Sequence, residues 1–376
     1  SSSSSQTSAV GNVDYGSYCG GADDSNPRIS TVNRLDFSND STSPATKGPL
    51  SQVKDKTSSA GTQSYGYIAG GSTGGPPWIH NLSVVDRIDY SSDTSNTSPK
   101  GELTAAKYYM AGASNSNYGW YTGGSPGGGR SSVDRIDYSN DTASASPKGN
   151  LSVKRFAHGA TGNSSYGYFG GNNSPSNRTT TDRIDYSNDT ATASPKGLLT
   201  INRQAAAAVS SRENANPLTI TSLVQATRTE TIPAGGPAYA FFAGGGPAAP
   251  SAMALSSVER IDFSNDTAAP TAAGNLADKQ HFNVAVGNQS YGYNCGGKGG
   301  PSVGAYPGTR VQRIDYGNDS ATAVFKGDLT VRRQSAAATG SNSYGYIIGG
   351  FNQDIPGAMS TVDRIDYADD TSTALV

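Results

Sequence analysis

The sequence predicts an all-β fold, a seven-bladed β-propeller of four-stranded blades, and three observations predict it. The tripeptide Arg-Ile-Asp, once Arg-Leu-Asp, occurs seven times, at intervals of 48 to 53 residues with one interval of 77. A short aromatic segment that ends in glycine precedes each copy, and a turn rich in Ser, Asn and Asp follows it. Repeats of roughly this length that hold four strands are typical of propeller blades.

The first two strands of each unit, a and b, are predicted by small residues and by aromatic residues respectively. Strand a is rich in alanine and glycine, as in segments 157–160, 205–208 and 336–338. Because blades converge at the axis, such residues suit the innermost strand. Strand b is predicted in YGSYCGG (15–21), YGYIAGG (65–71), YGWYTGG (118–124), YGYFGGN (166–172), YAFFAGG (239–245), YGYNCGG (291–297) and YGYIIGG (344–350). The fourth copy ends in Gly171-Asn172, so its glycine doublet is shifted or shortened by one residue.

The last two strands, c and d, follow the same order in every unit. Strand c carries the repeated arginine, and strand d is the TASAS type that leads to Pro-Lys-Gly, Leu and a basic residue such as Arg155, Arg203 or Arg333. Glycine, asparagine and proline turns separate these short segments. The chain therefore reads as one domain, 1–376, with blades at about 1–48, 49–101, 102–149, 150–197, 198–274, 275–327 and 328–376. This is one complete turn of the ring, and we expect the termini to meet.

Composition excludes several classes of function. The net charge is −2 and acids alternate with bases, so the sequence offers no basic stripe for nucleic acid. No apolar run reaches the roughly 20 residues of a membrane-spanning helix, so we expect no membrane insertion. The two cysteines, Cys19 and Cys295, do not make a disulfide framework.

The repeat resembles the kelch repeat over nearly the whole chain. The shared features are the glycine doublet that closes strand b, the aromatic residue of strand c and the arginine before strand a. The chain departs from kelch repeats in strand d, where small residues such as Ala145 and Ala193 stand in place of Trp. The segments DRIDYSND, ASPKG and SYGYFGG are also similar to kelch-like virion structural proteins of marine cyanobacterial viruses. This resemblance implies a virion or extracellular location and a role in binding or assembly.

The repeated charges of strand c are predicted to hold neighbouring blades together. Side chains alternate along a strand, so an arginine and the aspartate two residues later share one face. A buried guanidinium prefers a carboxylate partner. Seven equivalent positions around a ring also point apart and cannot converge on one ligand, which disfavours a catalytic arginine cluster. The predicted interblade residues are Arg34, Arg87, Arg135, Arg183, Arg260, Arg313, Arg364, Asp137 and Asp185.

Catalytic, metal and cofactor sites are not predicted. The three histidines, His80, His158 and His281, fall in different blades. Neither a Ser-His-Asp arrangement nor a phosphate-binding loop is present. The Ser-Asn-Asp-Thr turns also match the glycosylation motif Asn-x-Ser/Thr, for example at Asn140. Asn and Asp side chains also hydrogen-bond the backbone of tight turns, and this structural role is favoured over glycosylation. We expect a protein that is not an enzyme.

The connections from strand b to strand c differ in every blade and are the predicted binding surface. Variable loops on one face of a rigid scaffold are typical of recognition surfaces, although neutral drift in exposed loops gives the same pattern. Exposed aromatic side chains favour binding. The candidate residues on this face are Trp78, His80, Arg130, Tyr306, Phe351, Lys100, Lys148, Lys196 and Lys326. The opposite face is predicted to carry the turn aspartates, so that lysine marks one face and aspartate the other.

The predicted partners are a protein or glycan on a host surface, or other virion proteins. The alternative is a lectin or a carbohydrate-active enzyme that uses the same loop face. One irregularity, the insertion 211–236 in blade five, has the β-branched content of an extra hairpin. An isolated hairpin is marginally stable, so we expect this insertion to dock against another chain or against the propeller edge.

Overall fold

The structure is a computed structural model, and it describes residues 7–22, 27–39, 43–74, 80–173, 179–199, 207–210, 239–246, 254–263, 265, 268, 270–299, 308–352 and 359–375. Within these ranges every regular element is a β-strand. None of the described residues belongs to a helix long and apolar enough to cross a membrane. The insertion 211–236 lies outside the described residues.

The strands occur in seven consecutive groups, one group per blade. Blades one to four consist of β1 (Ser8–Gly11), β2 (Tyr15–Cys19), β3 (Val32–Asp36) and β4 (Ala45–Lys47); β5 (Ser58–Gly61), β6 (Tyr65–Ala69), β7 (Val85–Asp89) and β8 (Ser98–Pro99); β9 (Ala111–Ser114), β10 (Tyr118–Thr122), β11 (Val133–Asp137) and β12 (Ser146–Lys148); β13 (Gly159–Gly162), β14 (Tyr166–Gly170), β15 (Thr181–Asp185) and β16 (Ser194–Pro195). Blades five to seven consist of β17 (Ala207–Ser210), β18 (Tyr239–Ala243), β19 (Val258–Asp262) and β20 (Thr271–Ala272); β21 (Val284–Gly287), β22 (Tyr291–Cys295), β23 (Val311–Asp315) and β24 (Val324–Phe325); β25 (Ala337–Gly340), β26 (Tyr344–Ile348) and β27 (Val362–Asp366).

The blades are antiparallel meanders with the strand order a, b, c, d, which confirms the predicted propeller. In blade seven the fourth strand is a single bridge, Arg364 with Leu375. The a strands of neighbouring blades contact one another around the axis, and β1 packs against β25, so the first and last blades close the ring. The small residues of strand a are therefore innermost, as the sequence predicts.

The hydrophobic core lies between blades. An aromatic ring of strand b stacks on the aromatic residue that follows strand c of the next blade, with ring centroids 3.9 to 4.9 Å apart. The six stacked pairs are Tyr67–Tyr138, Trp120–Tyr186, Tyr168–Phe263, Phe241–Tyr316, Tyr293–Tyr367 and Tyr346–Phe37. Between blades one and two, Ser17 stands where the other six seams have a ring. Stacked rings of this kind add to the burial of apolar surface at each seam.

The second residue of strand b is glycine because the ring that follows strand c of the same blade occupies the space of a side chain. A Cβ atom on Gly119 would lie 2.5 Å from the hydroxyl oxygen of Tyr138. Blade five carries both changes together: alanine replaces glycine at Ala240, and phenylalanine replaces tyrosine at Phe263. The missing hydroxyl leaves room for the alanine methyl group.

We therefore expect Gly119→Ala to destabilise the protein by about 1–3 kcal/mol, because an extra methyl group overpacks this seam. The double variant Gly119→Ala/Tyr138→Phe copies blade five and should recover most of that loss. Urea unfolding of the two single variants and the double variant measures the coupling. If the losses of unfolding free energy in the two single variants simply add in the double variant, the Tyr138 hydroxyl is not the reason that position 119 is glycine.

The glycine doublet that closes strand b lets the next blade approach closely. The first glycine of the doublet has φ between 60° and 66° in the six blades that keep both residues. A Cβ atom on Gly123 would lie 2.6 Å from the carbonyl oxygen of Arg155, on the connection that enters blade four. In blade four Asn172 replaces the second glycine, so the doublet is shortened rather than shifted.

Candidate functional site and the charged columns

An aspartate of each described c–d turn is held by the preceding blade, in an arrangement that we call the interblade clasp. In the clearest case Asp189 of blade four accepts hydrogen bonds from Arg135 Nη1 at 2.9 Å and from Trp120 Nε1 at 2.9 Å. Lys148 Nζ lies 3.6 Å from the same carboxylate. The Arg135 guanidinium also stacks over the Tyr118 ring, 4.1 Å from its centroid. A carboxylate from one blade thus gathers three donors from its neighbour.

The clasp recurs around the ring. The arginine–aspartate pairs are Arg34–Asp93, Arg87–Asp141, Arg135–Asp189, Arg260–Asp319 and Arg313–Asp370, at 2.7 to 2.9 Å. All seven repeated arginines stack on the first tyrosine of strand b, including Arg183 on Tyr166 and Arg364 on Tyr344. The arginines of strand c therefore lie at the seams between blades.

The aspartate in this pairing differs from the one that the sequence pattern predicts. Asp137 accepts hydrogen bonds from the backbone N–H and the hydroxyl of Ser139, within its own turn. Asp185 accepts the same two bonds from Ser187. Local serine donors satisfy these carboxylates and lower the pKa of both aspartates, against a smaller opposing effect of burial. The interblade role belongs instead to the aspartate four residues further along, as in Asp141 and Asp189.

The lysines predicted for the loop face are part of the clasp instead. Lys100, Lys148 and Lys326 lie 3.0 to 3.6 Å from the turn aspartates Asp141, Asp189 and Asp370. Their side chains are about nine-tenths buried, because strand d of one blade runs beside the c–d turn of the next. Lys196 holds the same strand position and donates its backbone N–H to Thr181. The expected separation of lysine on one face and aspartate on the other is wrong, since the two meet at four seams of the described part of the chain.

In the clasp between blades six and seven, three donors favour the charged form of Asp370. Burial alone raises the pKa of Asp370, but hydrogen bonds from Lys326, Tyr293 and Arg313 outweigh that effect and lower its pKa. The same contact raises the pKa of the Tyr293 phenol, whose burial is the larger cause. Tyr293 OH therefore donates its proton to Asp370, at 2.8 Å.

A second charged column lies deeper, inside single blades. The basic residue ahead of strand a pairs with the acidic residue at the second position of strand c: Lys54–Asp86, Lys107–Asp134, Arg155–Asp182 and Arg333–Asp363, at 2.7 to 3.0 Å. These side chains are at most 1% exposed. Burial lowers the pKa of Lys54 and Lys107, and the facing aspartates oppose the shift. Blade six has neutral residues at both positions, Gln280 and Gln312, and both are buried.

The upper face is the face on which the b–c loops meet the connections that enter strand a. Backbone bridges join the two there, for example Asp55 with Ser72 and Tyr108 with Ser125. The residue two positions after the buried cation, or after Gln280, has a left-handed backbone, with φ between 48° and 55°, in every blade where it is described: Lys56, Tyr109, Ala157, Phe282 and Ser335. Left-handed conformations are costly for residues other than glycine, above all for bulky ones.

Three hydrogen bonds link these left-handed residues from blade to blade at the upper end of the axis, an arrangement that we call the left-handed ring. The N–H of Tyr109 donates to the carbonyl of Lys56, and the N–H of Ala157 donates to the carbonyl of Tyr109, both at 3.0 Å. The N–H of Ser335 likewise donates to Phe282 at 3.0 Å. The ring over-determines the backbone and holds the side chains at fixed positions. Phe282 is 41% exposed there.

The described part of the upper face concentrates aromatic and charged groups near blades two and three. The rings of Tyr108 and Tyr109 lie 5.3 Å apart, and Lys56 Nζ lies 5.9 and 5.7 Å from their centroids. Asp55 is buried between Arg28, at 3.0 Å, and Lys56, at 3.5 Å. Burial, helped by Asp55, raises the pKa of Tyr109 to about 12. We call Lys56, Tyr108 and Tyr109 the aromatic cluster.

The loop residues selected from sequence are only partly described. His80 is exposed, and its carbonyl accepts a hydrogen bond from Thr73. Arg130 and Phe351 are half-buried and bridge by backbone to Arg155 and Gln334 of the same face. Trp78 and Tyr306 lie outside the described residues. The aromatic cluster was not selected from sequence, since Tyr108 and Tyr109 read as ordinary residues of a connection.

The remaining titratable groups are scattered. His158 is buried, bonds Thr122 Oγ1 through Nε2 at 3.0 Å, and has a pKa lowered by burial and by Arg155 and Lys107. Cys19 and Cys295 are free and buried, and burial raises the pKa of both thiols. Within the part of the chain that the structure describes, no three His, Cys, Asp or Glu residues are placed to hold a metal ion.

Comparisons with known proteins support the architecture. No protein-family model matches the chain, and no curated protein matches it significantly. Among solved structures, a protein described as YjhT superposes with a TM-score of 0.60 at 10% sequence identity, over 86% of this chain and 97% of the other. At that identity the similarity shows the fold alone, and it agrees with the seven-bladed ring.

Proposed function

We propose that the protein is a non-enzymatic binding propeller that contacts its partner through the upper face. The strained ring at the upper end of the axis is the observation that supports this most. Five described residues other than glycine hold a conformation that glycine would adopt at no steric cost, and Tyr109 and Phe282 are among them. Backbone strain of this kind concentrates at functional sites, where a fixed side-chain position matters more than stability.

The chemistry of the upper face fits a macromolecular partner. Tyrosine presents a large rigid surface with a polar tip, and aromatic residues with arginine dominate the energetic centres of interfaces. The aromatic cluster places two tyrosines beside Lys56, and Arg28 lies close by against Asp55. The arginine–aspartate pair of the clasp repeats at all five seams where the turn aspartate is described, so it does not distinguish one blade from another for an asymmetric partner. The upper face differs from blade to blade, so it can specify an asymmetric partner.

The sequence of the repeat supports a further proposal, that this propeller belongs to a virion. Its similarity to kelch-like virion proteins of cyanobacterial viruses supports a place in a virion appendage or tail fibre, where the upper face contacts the host surface or another virion protein. An antibody raised against the recombinant chain should label virus particles purified from the source of this sequence. Absence of label from such particles would contradict the virion assignment and leave the binding role to be tested separately.

The upper face is tested with the double variant Tyr108→Ala/Tyr109→Ala. Ala157 has the same left-handed backbone in blade four, so alanine at position 109 is compatible with the fold. Binding of fluorescently labelled protein to marine cyanobacterial cells and to purified virus particles is measured by flow cytometry. We expect the wild type to bind one of the two, and the variant to lose at least about tenfold in affinity, as truncation of an anchor does.

The control is Thr142→Ala, an exposed position on the c–d turn of the same blade. It should bind like the wild type, and all three proteins should melt at similar temperatures. Equal binding by the folded double variant, or no binding by the wild type to either probe, would overturn the proposal. A glycan array run beside a turnover assay on the same sugars separates the alternatives, since turnover would show an enzyme.

A further inference from the structure

The outer edge of a blade is strand d, and three blades carry a proline at the same position of that strand. Pro99, Pro147 and Pro195 each lie opposite the second residue of strand c. The next residue bonds strand c through its backbone, as Lys100 does with Val85. Bonded and unbonded residues alternate along an antiparallel pair, so the backbone at the proline position faces away from the blade. Proline there lacks the outward N–H, which hinders a further strand from pairing with the edge.

Blade six has Phe325 at this position instead. Phe325 lies opposite Gln312, and Lys326 after it donates its backbone N–H to the carbonyl of Val311. The N–H and C=O of Phe325 therefore face outward, as the backbone of the prolines does in the other blades. Because phenylalanine keeps the N–H, the outer edge of blade six is open to strand pairing.

The side chains at this edge are apolar and exposed. Val324 and Phe325 are 55% and 40% exposed. The equivalent of Phe325 is Thr46 in blade one and Ala272 in blade five, so these two edges keep the N–H but offer no large apolar side chain there. Leu375 of blade seven holds the position of Val324 and is 58% exposed, and the residue after it lies outside the described residues. Among the described d strands, blade six thus combines an open edge with two large apolar side chains.

Charged groups of both signs lie beside the exposed ring. The Arg310 guanidinium lies 4.8 Å from the centroid of the Phe325 ring. Its carboxylate neighbours are Asp278 at 3.8 Å and Asp328 at 3.9 Å, whereas the clasp arginines lie 2.7 to 2.9 Å from their aspartates. The side chains of Arg310 and Asp328 are 48% and 42% exposed. A patch that carries loosely paired charges of both signs can be complementary to a copy of itself.

We propose that the outer edge of blade six binds the same edge of a second copy of this chain, across a two-fold axis. In such an antiparallel pair Phe325 lies opposite itself, and the two copies exchange both backbone hydrogen bonds of that residue. The pairing covers the apolar side chains of both copies. It also brings together the two charged rims, so that each copy offers carboxylates to Arg310 of the other.

A second copy fits this edge better than a longer foreign strand does. The N–H groups of Ala323 and Gly327, on either side of Phe325, already donate to the carbonyls of Asn275 and Asp370. The open edge is therefore one residue long, and the two-fold pair uses both of its outward backbone groups. A contact of this size belongs to the weak, reversible class of interfaces. The edge lies on the outer rim, so the inference does not depend on the proposed function.

The test compares the wild type with Val324→Ser/Phe325→Pro, which gives blade six the Ser-Pro pair of blades two to four. Sedimentation velocity is measured from about 10 µM to about 1 mM protein, the range in which weak dimers dissociate. We expect the wild type to show a monomer–dimer equilibrium and the variant to associate at least about tenfold more weakly. The control Thr271→Ser/Ala272→Pro places the same pair in blade five and should associate like the wild type. Circular dichroism checks the fold of all three proteins.

A cysteine variant tests the pairing without proline. Phe325→Cys places two thiols opposite each other, and the separation of about 5.5 Å between the Cα atoms of such a pair permits a disulfide. With oxidised glutathione this variant should form a disulfide-linked dimer much faster than Ala272→Cys, while the buried Cys19 and Cys295 stay free. A wild type that stays monomeric throughout the concentration range, a folded proline variant that dimerises as strongly as the wild type, or equal cross-linking of the two cysteine variants would overturn the inference.

Discussion

Arg155→Ala is expected to lower the free energy of unfolding by about 3–5 kcal/mol, the largest effect of any single change considered. The guanidinium is fully buried and donates to Asp182 at 2.7 Å and to the carbonyls of Phe169, Gly171 and Thr180 at 2.9 to 3.1 Å. Alanine would leave one buried carboxylate and three carbonyl groups without this donor. Chemical unfolding monitored by tryptophan fluorescence measures the loss, and a change below about 1 kcal/mol would contradict the account.

The chain supplies its own control for the buried column. Gln280 and Gln312 stand in blade six where the other pairs are charged, and Gln312 bonds the backbone of Asp278 through both amide atoms. Each single variant leaves one buried charge without its partner, whereas the double variant Lys107→Gln/Asp134→Gln leaves none. The double variant should therefore be markedly more stable than either single variant. If the double variant loses the sum of the two single losses, the groups do not interact as a pair.

Asp189→Ala is expected to destabilise by about 2–4 kcal/mol, because it opens the clasp between blades three and four. The change removes the acceptor of Trp120 Nε1, which is fully buried, and the partner of Arg135, which remains about one-fifth exposed. Water can reach the arginine, so the indole N–H accounts for much of the cost. Thermal unfolding by calorimetry gives the value.

The matched control for the clasp is Asp185→Ala, four residues earlier in the same turn. The Asp185 carboxylate accepts hydrogen bonds from Ser187 and from the backbone of Asn188, within its own exposed turn, so we expect a loss of about 1 kcal/mol or less. Equal losses for the two variants would show that the turn aspartate has no special interblade role.

The fold was predictable from sequence because each copy of the repeat supplies the residues that close one seam between blades. Seven copies of an aromatic segment that ends in glycine, followed by an arginine and a turn, correspond to seven seams that must all be closed in the same way. The choice of aspartate was not predictable from one sequence. Asp137 lies two residues after Arg135 and Asp141 lies six residues after it, and only the packing of neighbouring blades shows that the later aspartate faces a seam.

The candidate site was less predictable for a related reason. Loop variability predicts recognition on the b–c face, but the left-handed ring that positions Tyr109 has no glycine to signal it. The lysines at the ends of the d strands looked exposed, because a lysine before glycine resembles a surface turn. They are buried by the c–d turn of the next blade, a contact between residues more than forty positions apart.

The central claim, that recognition belongs to the upper face and that the repeated charges hold the ring, is tested most directly by hydrogen–deuterium exchange. The labelled protein is compared alone and with envelopes of marine cyanobacterial cells. The account predicts protection of segments 55–56 and 108–109 and of the b–c loops, with unchanged exchange in the c–d turns such as 137–142. Protection confined to the c–d turns, or no protection on the upper face, would contradict it.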